Sequence, residues 1–161
     1  MRDAARSLYE LARLNGRLLD NALDGVSERL GRRRLNGRIN NMAFVALHLL
    51  DARCYLGRYL GLEVEHPFGD LAAGVESIEQ MTDFPPLAAI RRSWHELAPQ
   101  VAERIPELKG ERWREPSNVD FPIADRTLFG GTSFLLHHES YHIGQLALLR
   151  KYFGLGATRY A

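Results

Sequence analysis

Apolar residues recur at steps of three and four along the first stretch of the chain. Leu8, Leu11, Ala12, Leu18, Leu19, Ala22, Leu23 and Val26 share one face, with Asn15 set among them and polar residues opposite. That period predicts an amphipathic helix, with Gly16 and Gly25 as its weak points. After a break at LGRRRLNGR, the stretch NNMAFVALHLLDARCYLGRYLG is largely apolar and closes on Gly61, which predicts a mostly buried helix over about residues 39–60. Residues 62–83 hold six acids and no Lys or Arg, with Pro67 and Gly69 opening a turn, and read as a loop followed by a short helix. Asp83-Phe84-Pro85-Pro86 is a helix-start signal, because proline suits a first turn. Leu87, Ile90, Trp94, Leu97 and Val101 then step by three and four, giving a helix with one apolar stripe and an expected bend at Pro99. KGERWREPSNVDFPIAD carries turn residues and no helical period, and loops of that length often serve function. A last helix is expected over about residues 126–153, stopping at Gly154.

Substantial helices without an alternating strand pattern or an internal repeat predict an all-α fold, a four-helix bundle forming a single domain over residues 1–161. A chain of 161 residues can bury a core without a disulfide or a structural metal, so any metal is expected to be functional. Cys54 is the one cysteine, which excludes an intrachain disulfide and a Cys-rich zinc site and suits a reducing cytoplasm. Net charge is +1, against a dedicated nucleic-acid protein of strongly basic balance; Arg29, Arg32, Arg33, Arg34 and Arg38 read as a solvated turn between helices. The longest nearly apolar run, MAFVALHLL, is too short to span a bilayer. The expectation is a cytoplasmic protein with a small-molecule or protein partner, no membrane and no nucleic acid.

The chemistry concentrates in HHESYHIGQLALLRK. His138 and His142 stand one helical turn apart, about 40° off a common line, so both imidazoles can reach one ion. Gln145 continues that face, and Leu135, Leu146 and Leu149 border it, marking it as the inward side. His48 interrupts another apolar run, AFVALHLLDA. A bundle interior tolerates such groups when they are hydrogen-bonded or hold a metal. Together the three offer neutral nitrogen ligands from two helices, and three protein ligands with an open position is the catalytic arrangement of zinc. His138-Glu139-Ser140-Tyr141-His142 also spells the H-E-x-x-H of zinc peptidases. The peptidase reading is rejected: no His, Asp or Glu follows His142 to act as the downstream ligand, and no strand is present to hold a peptide.

His48 in ALHLLDARCYLGRYLG, with HHESYHIGQLALLRK far downstream, resembles the DinB-like (DinB/YfiT-type) four-helix-bundle superfamily, marked by a second-helix histidine and an H-x-x-x-H-x-G-Q segment in the last helix. The resemblance implies that His48, His138 and His142 bind a divalent metal, zinc or nickel, and that the chain is a homodimer. It also implies an activity such as the metal-dependent transfer of a low-molecular-weight thiol, an S-transferase reaction. Activation of water for hydrolysis is the other reaction considered for the open site, and a non-catalytic metal-binding or stress-related bundle the alternative to an enzyme.

Several neighbours carry two readings each. Glu139, about 100° round from His138, is the candidate catalytic residue that could reach a water on the metal, although a flank glutamate facing a neighbouring helix or solvent is the preferred reading. Asp51, one turn past His48, could orient an imidazole or form an exposed salt bridge. Tyr55 and Tyr141 are expected to pack in the core. His137 and His95 are minority candidates for a fourth ligand, and His66, in a His-Pro loop, is not. Cys54 lies about 240° round from His48, so it points away from the metal as a small buried residue. A transferred thiol would then have to arrive as a co-substrate.

Overall fold

Long helices dominate the computed structural model, which describes residues 2–75, 77–81 and 83–160, with the backbone alone described at residues 2 and 3. The four are α1 (Arg2–Leu23), α3 (Met42–Tyr59), α5 (Leu87–Glu107) and α6 (Leu128–Tyr152); α2 (Glu28–Gly31) and α4 (Gly69–Ala72) are single turns. No strand occurs among the described residues. Among the described residues no helix is long and apolar enough to cross a membrane.

Local chemistry sets the helix limits. Asn41 caps α3 by accepting from the Phe44 N–H at 2.8 Å, and Thr127 caps α6 by accepting from the Gly130 N–H at 3.3 Å. Both helices end alike. The Gly61 N–H reaches the Arg58 carbonyl and the Leu62 N–H the Gly57 carbonyl; at the end of α6, Gly154 and Leu155 repeat this on Lys151 and Arg150. This Schellman ending needs a left-handed residue after the cap, and Gly61 and Gly154 supply it at φ +84° and +79°. α1 stops earlier than the apolar stripe predicts: Gly25 turns the chain and Val26 falls between helices before Ser27 opens α2. α5 continues unbroken through Pro99 and Pro106. In residues 62–83 the short helix is α4, joined by a 3-10 turn at Ile78–Gln80.

α1 and α3 each pack against both α5 and α6, closing a square whose diagonals are α1/α3 and α5/α6. Directions follow from paired contacts. His48 meets His138 while Tyr59 meets Gly131, so α3 and α6 are antiparallel. Asn15 bonds Leu136 and Arg150 bonds Ala22, so α1 and α6 run parallel. Arg53 bonds Ala98 and Arg104 bonds Leu60, so α3 and α5 are parallel as well. A parallel neighbour demands a long return, which explains the connection from residue 60 to 86. That return is tied down electrostatically: Glu79 takes Arg34 at 2.7 Å and Asp83 takes Arg32 at 3.5 Å. The basic turn expected to be solvated therefore holds this acidic segment, whose Glu76 lies outside the described residues. The loop before α6 contributes Trp113 and Phe121 to the core.

The first turn of α6 holds Gly130 and Gly131, where side chains would overlap Asp125 and the Tyr59 hydroxyl respectively; Gly144, exposed in mid-helix, has nothing within 4 Å. Gly131→Ala is expected to lower stability by about 1–3 kcal/mol through overpacking, and Gly144→Ala to raise it by about 0.5–1 kcal/mol through helix propensity. Urea unfolding midpoints check both, and shifts of the same sign would contradict this packing of α3 on α6.

Candidate metal centre

His48 occupies the middle of α3, and His138 and His142 lie one turn apart on α6. The antiparallel contact brings them together: each offers a ligand nitrogen, and these atoms lie within 4.8 Å of one another. His48 Nε2 and His138 Nε2 are 2.9 Å apart, a hydrogen-bond distance when one ring donates. That is a little inside the ~3.3 Å separation of two nitrogens on one tetrahedral zinc at Zn–N of about 2.0–2.1 Å. The ring centroids are 4.4–5.1 Å apart in edge-to-face pairs. All three histidines are half-buried.

Each ring leans on an aromatic neighbour. Phe44 stacks on His48 at 6.5 Å between centroids, Phe134 on His138 at 6.3 Å, and Tyr141 meets His142 edge-on at 5.1 Å. Gln145 Oε1 lies 2.8 Å from His142 Nδ1. An amide oxygen only accepts, so Nδ1 carries the hydrogen and Nε2 is left free to ligate. Burial holds the proton affinities down, aided at His138 and His48 by repulsion from neighbouring rings and opposed at His142 by the Gln145 hydrogen bond: His138 falls to about 4, and His48 and His142 fall below their usual value of 6.5. Neutral imidazoles are the ligand form, so this donor set fits a divalent metal without prior loss of a proton near pH 7.

A family model for the DinB superfamily matches residues 11–146, a span that includes all three histidines. The chain belongs to the DinB superfamily. Comparison with curated proteins and with solved structures returned no match.

On this DinB-superfamily bundle, two sequence expectations are reversed. His138 and His142 were assigned the inward face of α6, with Glu139 on its flank; the histidines are instead half-exposed and Glu139 is 0% exposed. Glu139 lies one turn from Leu135, Leu136 and Ile143, at the centre of the buried arc. Its carboxylate bonds Arg53 at 2.7 Å and Asn15 at 3.2 Å. Burial raises its proton affinity, and Arg53 and Asn15 counteract that. Tyr141 was expected in the core and is 60% exposed. Asp51 turns to His66, with Oδ1 3.8 Å from Nε2. His95 pairs with Asp20 at 2.7 Å, and neither His95, His137 nor His66 joins the cluster. Cys54 is buried as expected, its thiol pushed up to about 11 by burial. Phe44 and Phe134 were missed, although each lies four residues before a histidine, the spacing at which helical neighbours touch.

The cleft beside His48, between Phe44, Asp51, Val75 and Met81, has room for about 20 Å³ of water, enough for a single molecule. A larger apolar groove of about 310 Å³ is lined by Gln145 with Val45, Leu148 and Tyr152, and by none of the three histidines.

The lowered His138 value has a consequence for stability. Below pH 6.5 the unfolded chain takes up a proton that folded His138 accepts only near pH 4, so stability falls as pH drops through that window. Urea midpoints measured in chelator from pH 7 to 4.5 are expected to fall more steeply in the parent than in His138→Gln; equal slopes would contradict the placement.

Proposed function

We propose that this chain is a metal-dependent enzyme, an S-transferase for a low-molecular-weight thiol or a hydrolase, built on an open centre of His48, His138 and His142. The observation that carries the reading is the convergence of three neutral, half-buried imidazoles from two helices, with no fourth His, Cys, Asp or Glu in the group among the described residues. Three protein ligands with one position left for substrate is the arrangement of catalytic zinc, whereas structural zinc is closed by four. Zinc or nickel, when bound, would act as a Lewis acid and make a thiol or water placed there nucleophilic near neutral pH.

The protein's own groups divide the remaining work. Gln145 holds the His142 ring with Nε2 free, and Phe44 and Phe134 stack beside the other two rings. Asp51 lines the His48 cleft, where its half-exposed carboxylate can take the proton of an incoming nucleophile. Cys54 is buried and protonated, which supports a thiol that arrives as co-substrate. Glu139, the base of the H-E-x-x-H pattern, has its carboxylate on Arg53 and Asn15, which favours the other groups for proton transfer. A metal-binding bundle without catalysis is the second reading, favoured by the small size of the His48 cleft.

Metal titration of purified protein tests the centre. One ion per chain is expected in the parent, with His48→Ala, His138→Ala and His142→Ala each losing about 100-fold or more in zinc or nickel affinity, since each removes a ligand from one site. The losses are expected not to add, and His66→Ala to leave binding near the parent's. Tight one-to-one binding retained in His48→Ala would overturn the shared site. A screen of small thiols against model electrophiles then separates enzyme from binding bundle.

A further inference from the structure

Beneath the histidines lies a polar layer that the metal chemistry does not use. Arg53, from α3, is 0% exposed and reaches the three other long helices. Its Nη2 donates to Glu139 Oε2 of α6 at 2.7 Å and to the Ala12 carbonyl of α1 at 3.3 Å; its Nη1 donates to the Ala98 carbonyl of α5 at 3.5 Å, and its guanidinium lies 4.7 Å from the Trp94 ring centroid. Asn15 of α1 donates to Glu139 Oε2 and to the Leu136 carbonyl, and accepts from Ser140 Oγ.

Stability alone is a poor reason for such a pair. Desolvating two charges offsets most of their attraction, and apolar replacements of similar volume are often neutral or stabilising. The pair is also unsaturated, because Glu139 Oε1 and Arg53 Nε have no partner among the described residues. What it supplies is direction. Apolar packing tolerates small slides and rotations of a helix, whereas a charge-assisted hydrogen bond holds one distance and one angle.

Each partner sits beside a ligand. Glu139 follows His138 on α6, and Arg53 lies five residues past His48 on α3, about 7.5 Å along the axis. Pinning Glu139 at the core centre fixes the rotation of α6, so that His138, about 100° away, faces α3. Pinning Arg53 to it fixes the longitudinal register that sets His48 against His138.

We propose that Arg53 and Glu139 are positioning residues for the histidine centre, their buried pair holding α3 and α6 in the one register and rotation at which the three imidazoles converge. This rests on the metal-centre reading above. The test separates fold from site: Arg53→Met/Glu139→Leu is compared with the parent by urea unfolding in chelator, by zinc affinity in competition with a chromophoric chelator, and by the visible absorption of the cobalt-loaded protein. The double variant is expected to unfold at the parent's urea concentration or above it, yet to bind zinc about 10–100-fold more weakly, with an altered cobalt spectrum. Parent-like zinc affinity and spectrum would overturn the inference. If the double variant does not fold, Glu139→Gln and Glu139→Met take its place. Glutamine keeps hydrogen-bonding capacity toward Arg53 and Asn15 and is expected to stay within about 3-fold of the parent, with methionine about 10-fold weaker or worse; equal affinities would overturn it. A parent that binds neither zinc nor cobalt would overturn the metal reading and this inference together.

Discussion

An imidazole reaches only a few ångström from its helix, and His48 and His138 are separated by 90 residues of chain. The site therefore depends on α3 and α6 keeping one relative height and one relative rotation. A slip of a single helical turn, about 5.4 Å, would part the ligands. Much of the bundle bears on that constraint. Side-chain caps start both helices, and glycine-dependent Schellman endings stop both, so neither helix drifts in length. Gly131 lets Tyr59 lie directly against α6, and the Tyr59 hydroxyl donates to Ser117 at 2.9 Å, tying the loop before α6 to the far end of α3.

The same packing sets the electrostatics. Half-burial is enough to keep three adjacent imidazoles neutral near pH 7 and leaves His48 on the wall of a small cleft. Full burial would have closed the cluster to an incoming ion. Full exposure would have lost the desolvation that holds the rings in ligand form. The stacked Phe44 and Phe134 restrict two of the rings, and Gln145 selects the nitrogen that the third presents.

Helix periodicity made the long helices and their approximate limits legible, and the His138/His142 spacing with His48 in a buried run made the three-histidine cluster legible. Connection order was not, because periodicity says nothing about which faces meet; the parallel pairing of α3 with α5 shows only in three dimensions. The core face of α6 was misread for a specific reason. Charged residues are rarely fully buried unless paired, so Glu139 was assigned to the flank although Leu135, Leu136 and Ile143 surround it at helical spacing. Its partner Arg53 lies in a different helix, beyond the reach of any local pattern. Asn15 was visible among the apolar positions of α1, but without Glu139 in place nothing in the sequence gave it a task.

The central claim is that one ion is shared by ligands from α3 and α6. Anomalous diffraction from crystals of the zinc-loaded protein, collected on both sides of the zinc absorption edge, tests it most directly. The account predicts a single strong peak per chain within bonding distance of nitrogens from His48, His138 and His142. A peak bound by the α6 pair without His48, or located away from all three, would contradict it.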